Sequence, residues 1–377
     1  MISLAPRPSP LAPAVTVSAT PFAIPYRRPL ALAPGSVTEH CAVLIEIVDR
    51  DGCRGAGEIA PGPGTTRARA GAIALDVTAQ RDRIAAAAHG VFDALDANRR
   101  TQLCGLDPGV EAALLDLWAR RRGEPLGLAL RGGSADATQV IVNAMIDRAE
   151  TRVVRDVIDA AVADGYRCLK LKMAPTDTEA CCAALSYARG CYGDAIALRV
   201  DCNGAWTVPE ARDALRSLAC FDLEYVEQPA ATLEDLRALR ETTGVRIAAD
   251  ESVANISQIE RAIALRAVDV MILKPARLGV LDALRGARMA IDAGIDCVVT
   301  SNLESSLGLA SALHVAAAVD AMSARPARAH GLGTAQWLEA DIAAPRLLAR
   351  HGVLDTNGQP GCGVAPVADL VERWRIH

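Results

Sequence analysis

Apolar and polar positions along this chain follow two rhythms, one in the first third and another after it. Near the start, "VTVSATPFAIPYRRPL" and "CAVLIEIVDRDG" read as extended segments. The second ends in an Asp-Gly turn and runs into "CRGAGEIAPGPG", a hairpin-like return followed by a Gly/Pro loop. From about Arg67 to Gly123 the spacing becomes helical and Ala-rich, and "GVEAALLDLWARRRG" places Ala112, Leu115, Leu117 and Ala119 near one side. Strands followed by helices predict an α+β domain over residues 1–133, closed by the Gly132-Gly133-Ser134 cluster. Beyond it a second rhythm begins. Short β-branched runs ending in a polar residue alternate with Ala/Leu/Arg helices: "VIVNAMI", "CLKLKM", "IALRVDCN", "LEYVEQP", "RIAADES", "VMILKP" and "CVVTSN". They recur roughly every 23–30 residues, the size of one βα unit. Seven or eight such units in succession predict a closed (β/α)₈ barrel over residues 134–340. An open doubly wound sheet would call for a Gly-rich phosphate loop, and no GxGxxG or Walker sequence follows a strand.

Composition narrows the function class. At 377 residues the chain exceeds the size at which one hydrophobic core stops growing, which agrees with two domains. With 3% aromatic residues, a net charge of −5 and no basic run, a nucleic-acid partner is not expected. Eleven cysteines show neither a CxxC pair nor zinc spacing, so they are read as reduced, mostly buried thiols in a cytoplasmic protein. Four prolines within the first thirteen residues interrupt any secretory apolar core. No apolar run reaches the ~18 residues of a membrane span, and Leu307 to Val319, with Ser311 and His314, reads as a buried helix. Nothing in the pattern sets an oligomeric state.

Chemistry enters through the charges. In the predicted strand "LKLKMAP", Lys170 and Lys172 share one face while Leu169 and Leu171 share the other. Charged residues stand at the C-terminal end of run after run: Lys172, Asp201, Glu227, Asp250 and Lys274. A single acid there is most often a helix cap, but barrel enzymes place their chemistry on this rim. Three carboxylates converging on one point would repel one another, and a divalent cation resolves that. An all-carboxylate donor set suits Mg²⁺, with Mn²⁺ expected to substitute, whereas zinc would call for His or Cys. Beside such a cation, and crowded by a second ammonium, a lysine is expected to lose its proton more readily and act as a base. The chemistry implied is removal of a proton next to a carboxylate, giving an enediolate, so the partner is a small carboxylate substrate.

Taken together, "LKLK", "VDCNGAWT", "VEQP", "ADES" and "LKPARLG" resemble the enolase superfamily, in its muconate-lactonizing subgroup. The resemblance implies a cap over residues 1–133, a barrel over 134–340 and a C-terminal segment, 341–377, that returns to the cap. It implies that Asp201, Glu227 and Asp250 are metal ligands and that Asn203 and Glu251 lie just outside them. It also implies that Lys172 is the acid/base, with Lys170 beside it and Lys274 on the opposite face.

Several loops resemble those of the o-succinylbenzoate synthase family: "GEIAPGPG" (57–64), "VNAMI" (142–146), "SNLESSLG" (301–308) and "GLGT" (331–334). This implies substrate contacts at Pro63, Asn143, Ser301, Asn302, Ser305, Gly331 and Leu332. The family reaction is a dehydration yielding an aromatic succinylbenzoate on the route to menaquinone. The chain departs from the family pattern at Gly62, where leucine is usual, at Met173-Ala174, at Val280, and at Asn302, where serine is usual. Within the subgroup, an N-succinylamino acid racemase would use Lys172 and Lys274 as two bases, and a muconate cycloisomerase is a further alternative. Dipeptide epimerases carry an acidic D-x-D where this chain reads "HGLGTAQW". Outside the subgroup, a metal-free Schiff-base aldolase could use a barrel lysine but would not need three inward acids. A non-catalytic binding protein on the same fold would not need the lysines.

Overall fold

The computed structural model describes residues 15–32, 35–96, 106–131, 139–146 and 151–377. The Gly132-Gly133-Ser134 boundary and the proline-rich residues 1–14 lie outside them. Three antiparallel strands open the chain, β1 (Thr16–Leu32), β2 (Gly35–Val48) and β3 (Arg54–Ile59), paired in that order. The Asp-Gly turn between β2 and β3 forms as expected, with Gly52 at φ 80° and its N–H on the Asp49 carbonyl. Four helices follow: α1 (Arg67–Ala79), α2 (Arg81–Asp96), α3 (Pro108–Arg122) and α4 (Leu126–Arg131).

The one-sided reading of α3 is corrected by the structure. Every residue from Gly109 to Ala119 is buried, because the helix is clasped between the cap sheet and the barrel helices. Gly55 and Gly57 of β3 allow this close approach, since a Cβ at either would collide with the α3 backbone.

Then comes the barrel. The run "VIVNAMI" divides into β4 (Gln139–Ile141) and β5 (Ala144–Ile146). The βα units continue with α5 (Thr151–Ala163), β6 (Cys168–Lys172), α6 (Thr178–Tyr192), β7 (Ala197–Asp201), α7 (Val208–Leu218) and β8 (Tyr225–Glu227). Next are α8 (Leu233–Thr243), β9 (Ile247–Ala249), α9 (Ile256–Leu265) and β10 (Val270–Leu273). The barrel part ends with α10 (Pro275–Leu278), α11 (Val280–Asp292), β11 (Asp296–Val299) and α12 (Ser306–Met322). Strands β5 to β11 form one parallel sheet in sequence order. Apolar toward the surrounding helices, with charged side chains from β6, β7 and β8 on the inner face, they enclose Tyr225, Ala248, Val270, Ile272 and Val298.

The ring is closed by residues that no apolar run announces. His330 and Gly331 bridge β11 on one side and Val142, just ahead of β5, on the other. Gly331 N donates to Val299 O at 2.8 Å, and Asn143 N donates to His330 O at 2.9 Å. His330, wholly buried, fixes the join further, its Nδ1 accepting from Val299 N at 2.8 Å. The chain ends with β12 (Ala343–Ala344), β13 (Val353–Asp355), β14 (Ala365–Pro366) and α13 (Ala368–Trp374). β13 pairs with β4, and beyond α13 the Ile376 N–H meets Pro21 O of β1 at 2.9 Å. Among the described residues no helix is long and apolar enough to cross a membrane.

α12 joins these parts. It is buried from Ser306 to Val319, Gly308 alone being half-buried, as its composition foretold. Two carboxylates take its first N–H groups. Glu58, at the end of β3, accepts from Ser305 N at 3.3 Å and Gly308 N at 3.1 Å. Asp341, from the C-terminal segment, accepts from Ser306 N at 3.1 Å. Negative charge at a helix N-terminus is favourable, so this helix start holds cap, barrel and tail together.

Candidate active site

A cavity of about 720 Å³ opens at the C-terminal end of the barrel strands. Its wall includes Lys170, Lys172, Asp201, Asp250 and Lys274, with Asn203 and Glu251 beside them. Strand pairing explains the grouping. Lys172 lies opposite Asp201, and Asp201 opposite Glu227, on successive strands. Glu227 lies opposite Ala248, two residues before Asp250. Lys274 follows β10, four strands round a ring of eight from β6, so it faces Lys172 across the opening.

The side chains form a tight ionic network. Lys170 Nζ donates to Glu227 Oε1 at 2.6 Å and Oε2 at 2.8 Å, and lies 3.0 Å from Asp201 Oδ2. Lys172 Nζ donates to Asp201 Oδ2 at 2.7 Å and Asn203 Oδ1 at 2.9 Å. Lys274 Nζ donates to Asp250 Oδ2 at 2.5 Å. Asn203 Nδ2 in turn donates to Glu251 Oε1 at 3.0 Å.

These pairings set the charge state of Lys170 and Lys274. Burial works to lower the pKa of Lys170 and Lys274, but neighbouring carboxylates outweigh it and raise both, Asp201 and Glu227 for Lys170 and Asp250 for Lys274. Within the chain's own charges, these two lysines hold their protons rather than release them. Burial also works to raise Asp201, yet Lys170 and Lys172 hold it well below the usual carboxylate range. Glu227 is pushed up to about 8, by burial and then by the charges of Asp201 and Asp250.

Among the described residues no three His, Cys, Asp or Glu side chains form a ready coordination sphere, because the ammonium groups take the carboxylate oxygens. The donor chemistry nevertheless fits a hard divalent cation. Three buried carboxylates stand at the ends of adjacent strands, and beyond the effect of burial, Asp201 and Asp250 push Glu227 up by a repulsion that such a cation would relieve.

Of the expected substrate contacts, Pro63, Asn143, Ser301, Asn302 and Gly331 line the cavity. Ser305 and Leu332 do not. Ser305 is buried, its hydroxyl spent on Glu58 and on capping α12, and Leu332 has no exposure at all. Several lining residues were not singled out in the sequence, though they lie inside quoted segments: Leu30 from the cap, Met145, Arg277 and Trp337.

Two supporting residues were legible but unread. Arg199 sits two residues before Asp201 on the same strand face, the alternation that singled out Lys170 and Lys172. Wholly buried, it lies 4.7 Å over the Tyr225 ring and donates to Glu224 at 2.7 Å, Ala329 O at 2.7 Å and Asn143 Oδ1 at 3.3 Å. Gln228, inside the quoted "VEQP", accepts from Asp250 N at 2.8 Å and so fixes the backbone beneath that carboxylate. Asn203, Gln228 and Leu303 all adopt positive φ (47°, 42° and 67°), so backbone strain collects around this rim.

Comparison with known proteins agrees with this geometry. A family model described as enolase C-terminal domain-like matches residues 152–370. Another, the mandelate racemase / muconate lactonizing enzyme N-terminal domain, matches residues 14–130. The o-succinylbenzoate synthase of Thermobifida fusca is 41% identical over 157 residues, 42% of this chain and 48% of the relative. That of Desulfotalea psychrophila is 32% identical over 253 residues, 66% of this chain and 67% of the relative. The match thus spans about half the length of the first relative and two thirds of the second. Among solved structures, a muconate lactonizing enzyme from Pseudomonas fluorescens in complex with muconolactone superposes with a TM-score of 0.83 at 23% identity. That superposition covers 97% of this chain and 100% of the other, and it speaks for the fold. With both domains matched and the ionic rim in place, this chain belongs to the enolase superfamily of enzymes, in the branch that includes mandelate racemase and muconate lactonizing enzyme.

Proposed function

We propose that this chain is a Mg²⁺-dependent carbon–oxygen lyase that forms o-succinylbenzoate from its hydroxycyclohexadiene carboxylate precursor, on the route to menaquinone. The observation that carries the acid/base chemistry of this reading is the pair Lys172 and Lys274, facing each other across one cavity whose wall also holds Asp201 and Asp250. Asp201, Glu227 and Asp250 would hold the ion, and Mn²⁺ should substitute for Mg²⁺. When bound, the metal supplies positive charge against the enediolate oxygens.

The remaining work falls to side chains of this chain. Lys172 removes the proton next to the substrate carboxylate and returns it to the departing hydroxyl, so that water leaves and the ring becomes aromatic. Lys274, as an ammonium, stabilises the enediolate from the far wall. Lys170 supplies fixed positive charge beside Lys172. Asn203 orients Lys172 and is itself held by Glu251. Asn143 and Ser301 offer hydrogen bonds to substrate oxygens, and Asn302, its amide N–H given to Ala60 O, shapes the wall with Pro63 and Gly331. The reaction belongs in the cytoplasm on this reading, and all ten described cysteines are free thiols.

N-succinylamino acid racemisation is the second reading, because Lys172 and Lys274 stand where two bases would. The cap and barrel loops, and the likeness to the o-succinylbenzoate synthases of Thermobifida fusca and Desulfotalea psychrophila, favour the synthase. The test is turnover of the cyclohexadiene precursor, followed by ultraviolet absorbance, with Mg²⁺ and again with EDTA. Fast dehydration abolished by EDTA supports the proposal. Activity that survives EDTA and is trapped by borohydride would instead point to Schiff-base chemistry.

A further inference from the structure

Two loops meet over the cavity, one from each domain. Residues 60–64 leave the cap after β3, and residues 300–305 leave the barrel after β11. The barrel loop is anchored at its base, where Glu58 takes the first N–H groups of α12. Its tip is held differently. Asn302 N donates to the buried Glu304 Oε1 at 2.8 Å, and Leu303 follows in a left-handed conformation, φ 67°. That arrangement aims the Asn302 side chain at the cap, where Nδ2 donates to Ala60 O at 2.9 Å. Among the described residues no other hydrogen bond joins residues 60–64 to the barrel.

Gly62 faces the same amide. A Cβ on Gly62 would stand 3.3 Å from Asn302 Nδ2, tighter than ordinary contact, and its φ of 129° already disfavours a side chain. Gly62 and Asn302 are also two of the positions at which the chain departs from the loop pattern of the family it resembles. The departures touch, and each makes room for the other: a small residue in the cap, a longer amide in the barrel.

We propose that the Asn302 amide and the Ala60 carbonyl form a polar latch, with Gly62 leaving room for the amide, that fixes the cap loop over the cavity and thereby sets which substrates the site holds. Asn302 acts here as a positioning residue, through the cap backbone. The consequence for substrate choice rests on the function proposed above, whereas the latch itself does not.

The test uses the full chain and the variants Asn302→Asp, Gly62→Ala and their combination, with thermal unfolding confirming that each is folded. Aspartate matches asparagine in shape but has no N–H to donate, so it separates the hydrogen bond from space filling. Asn302→Asp should speed hydrogen exchange at Gly62, Gly64 and Thr65 by about 5-fold, the loss of one hydrogen bond. It should raise KM for the precursor by a similar factor, with most of the loss falling on KM. Gly62→Ala should raise KM on the order of 10-fold. The double variant should fall short of the product of the two by at least about 3-fold, because both changes break the same contact. Unchanged exchange in Asn302→Asp, or effects that simply multiply, would overturn the latch. If the wild-type chain fails to turn over the precursor, the proposed function falls, and the exchange data still decide on the latch.

Discussion

In Arg199→Met, a guanidinium with no solvent exposure gives way to an uncharged, unbranched side chain. The substitution ends three hydrogen bonds, to Glu224, Ala329 O and Asn143, and the stacking on Tyr225. Removing one partner of a buried pair costs about 3–5 kcal/mol when the other is left stranded. Glu224 is not stranded, because Arg328 also pairs with it. The Ala329 carbonyl, however, loses this donor next to the segment that closes the barrel. Together these place the loss near the lower end, ~3 kcal/mol, read as a drop in urea midpoint at constant slope. A second readout is functional. Without Arg199, the Asn143 amide loses a donor that holds its oxygen away from the cavity, so KM should rise while Mg²⁺ affinity stays the same. A stability loss below ~1 kcal/mol would refute the energetic reasoning. A full stability loss with unchanged KM would show that Arg199 does not orient Asn143.

Three further outcomes follow from the site. Lys172→Ala should lower turnover by on the order of 10²–10⁴, while calorimetry shows unfolding nearly unchanged, because Asp201 keeps Lys170 at 3.0 Å. Asp250→Asn should weaken Mg²⁺ binding by titration calorimetry at least about tenfold, and activity should fall with it. Glu304 is pushed up to about 7, first by burial, with Glu58, His40 and Tyr26 as its titratable neighbours. Its folded form therefore keeps a proton that the unfolded chain has already released. Its contribution to stability declines as pH rises from about 4.5 to about 7 and is flat above that. Glu304→Gln should remove this decline and gain up to roughly 3 kcal/mol over the wild type at pH 8, measured as a difference of urea curves at pH 5 and 8. An identical pH slope in the two proteins would contradict it.

The barrel was legible because parallel strands write themselves as short apolar runs, and seven of them recur in order. The closing segment was not, because His330 and Gly331 hold their places by bridging backbones and by one buried imidazole rather than by apolar pattern. α3 misled for a related reason. A helix clasped on all sides has no polar face, so its few periodic residues suggested a stripe that does not exist. The ionic rim could be read because side-chain alternation and strand ends suffice to place Lys170, Lys172 and the acids. Ser305 and Leu332 could not be separated from true lining residues, since a loop pattern does not say which side chains turn inward. Nor did the pattern show which carboxylate each lysine pairs with, which depends on distances of 2.5–3.0 Å between groups remote in sequence.

The central claim is that these residues couple α-proton removal to loss of hydroxide. Its most direct measurement is turnover in D₂O with Mg²⁺, on the cyclohexadiene precursor and in parallel on an N-succinylamino acid. The account predicts fast dehydration of the first, with little α-deuterium incorporation or racemisation of the second. Rapid exchange and racemisation of the amino acid without useful dehydration would contradict it, and would assign Lys172 and Lys274 to a two-base reaction.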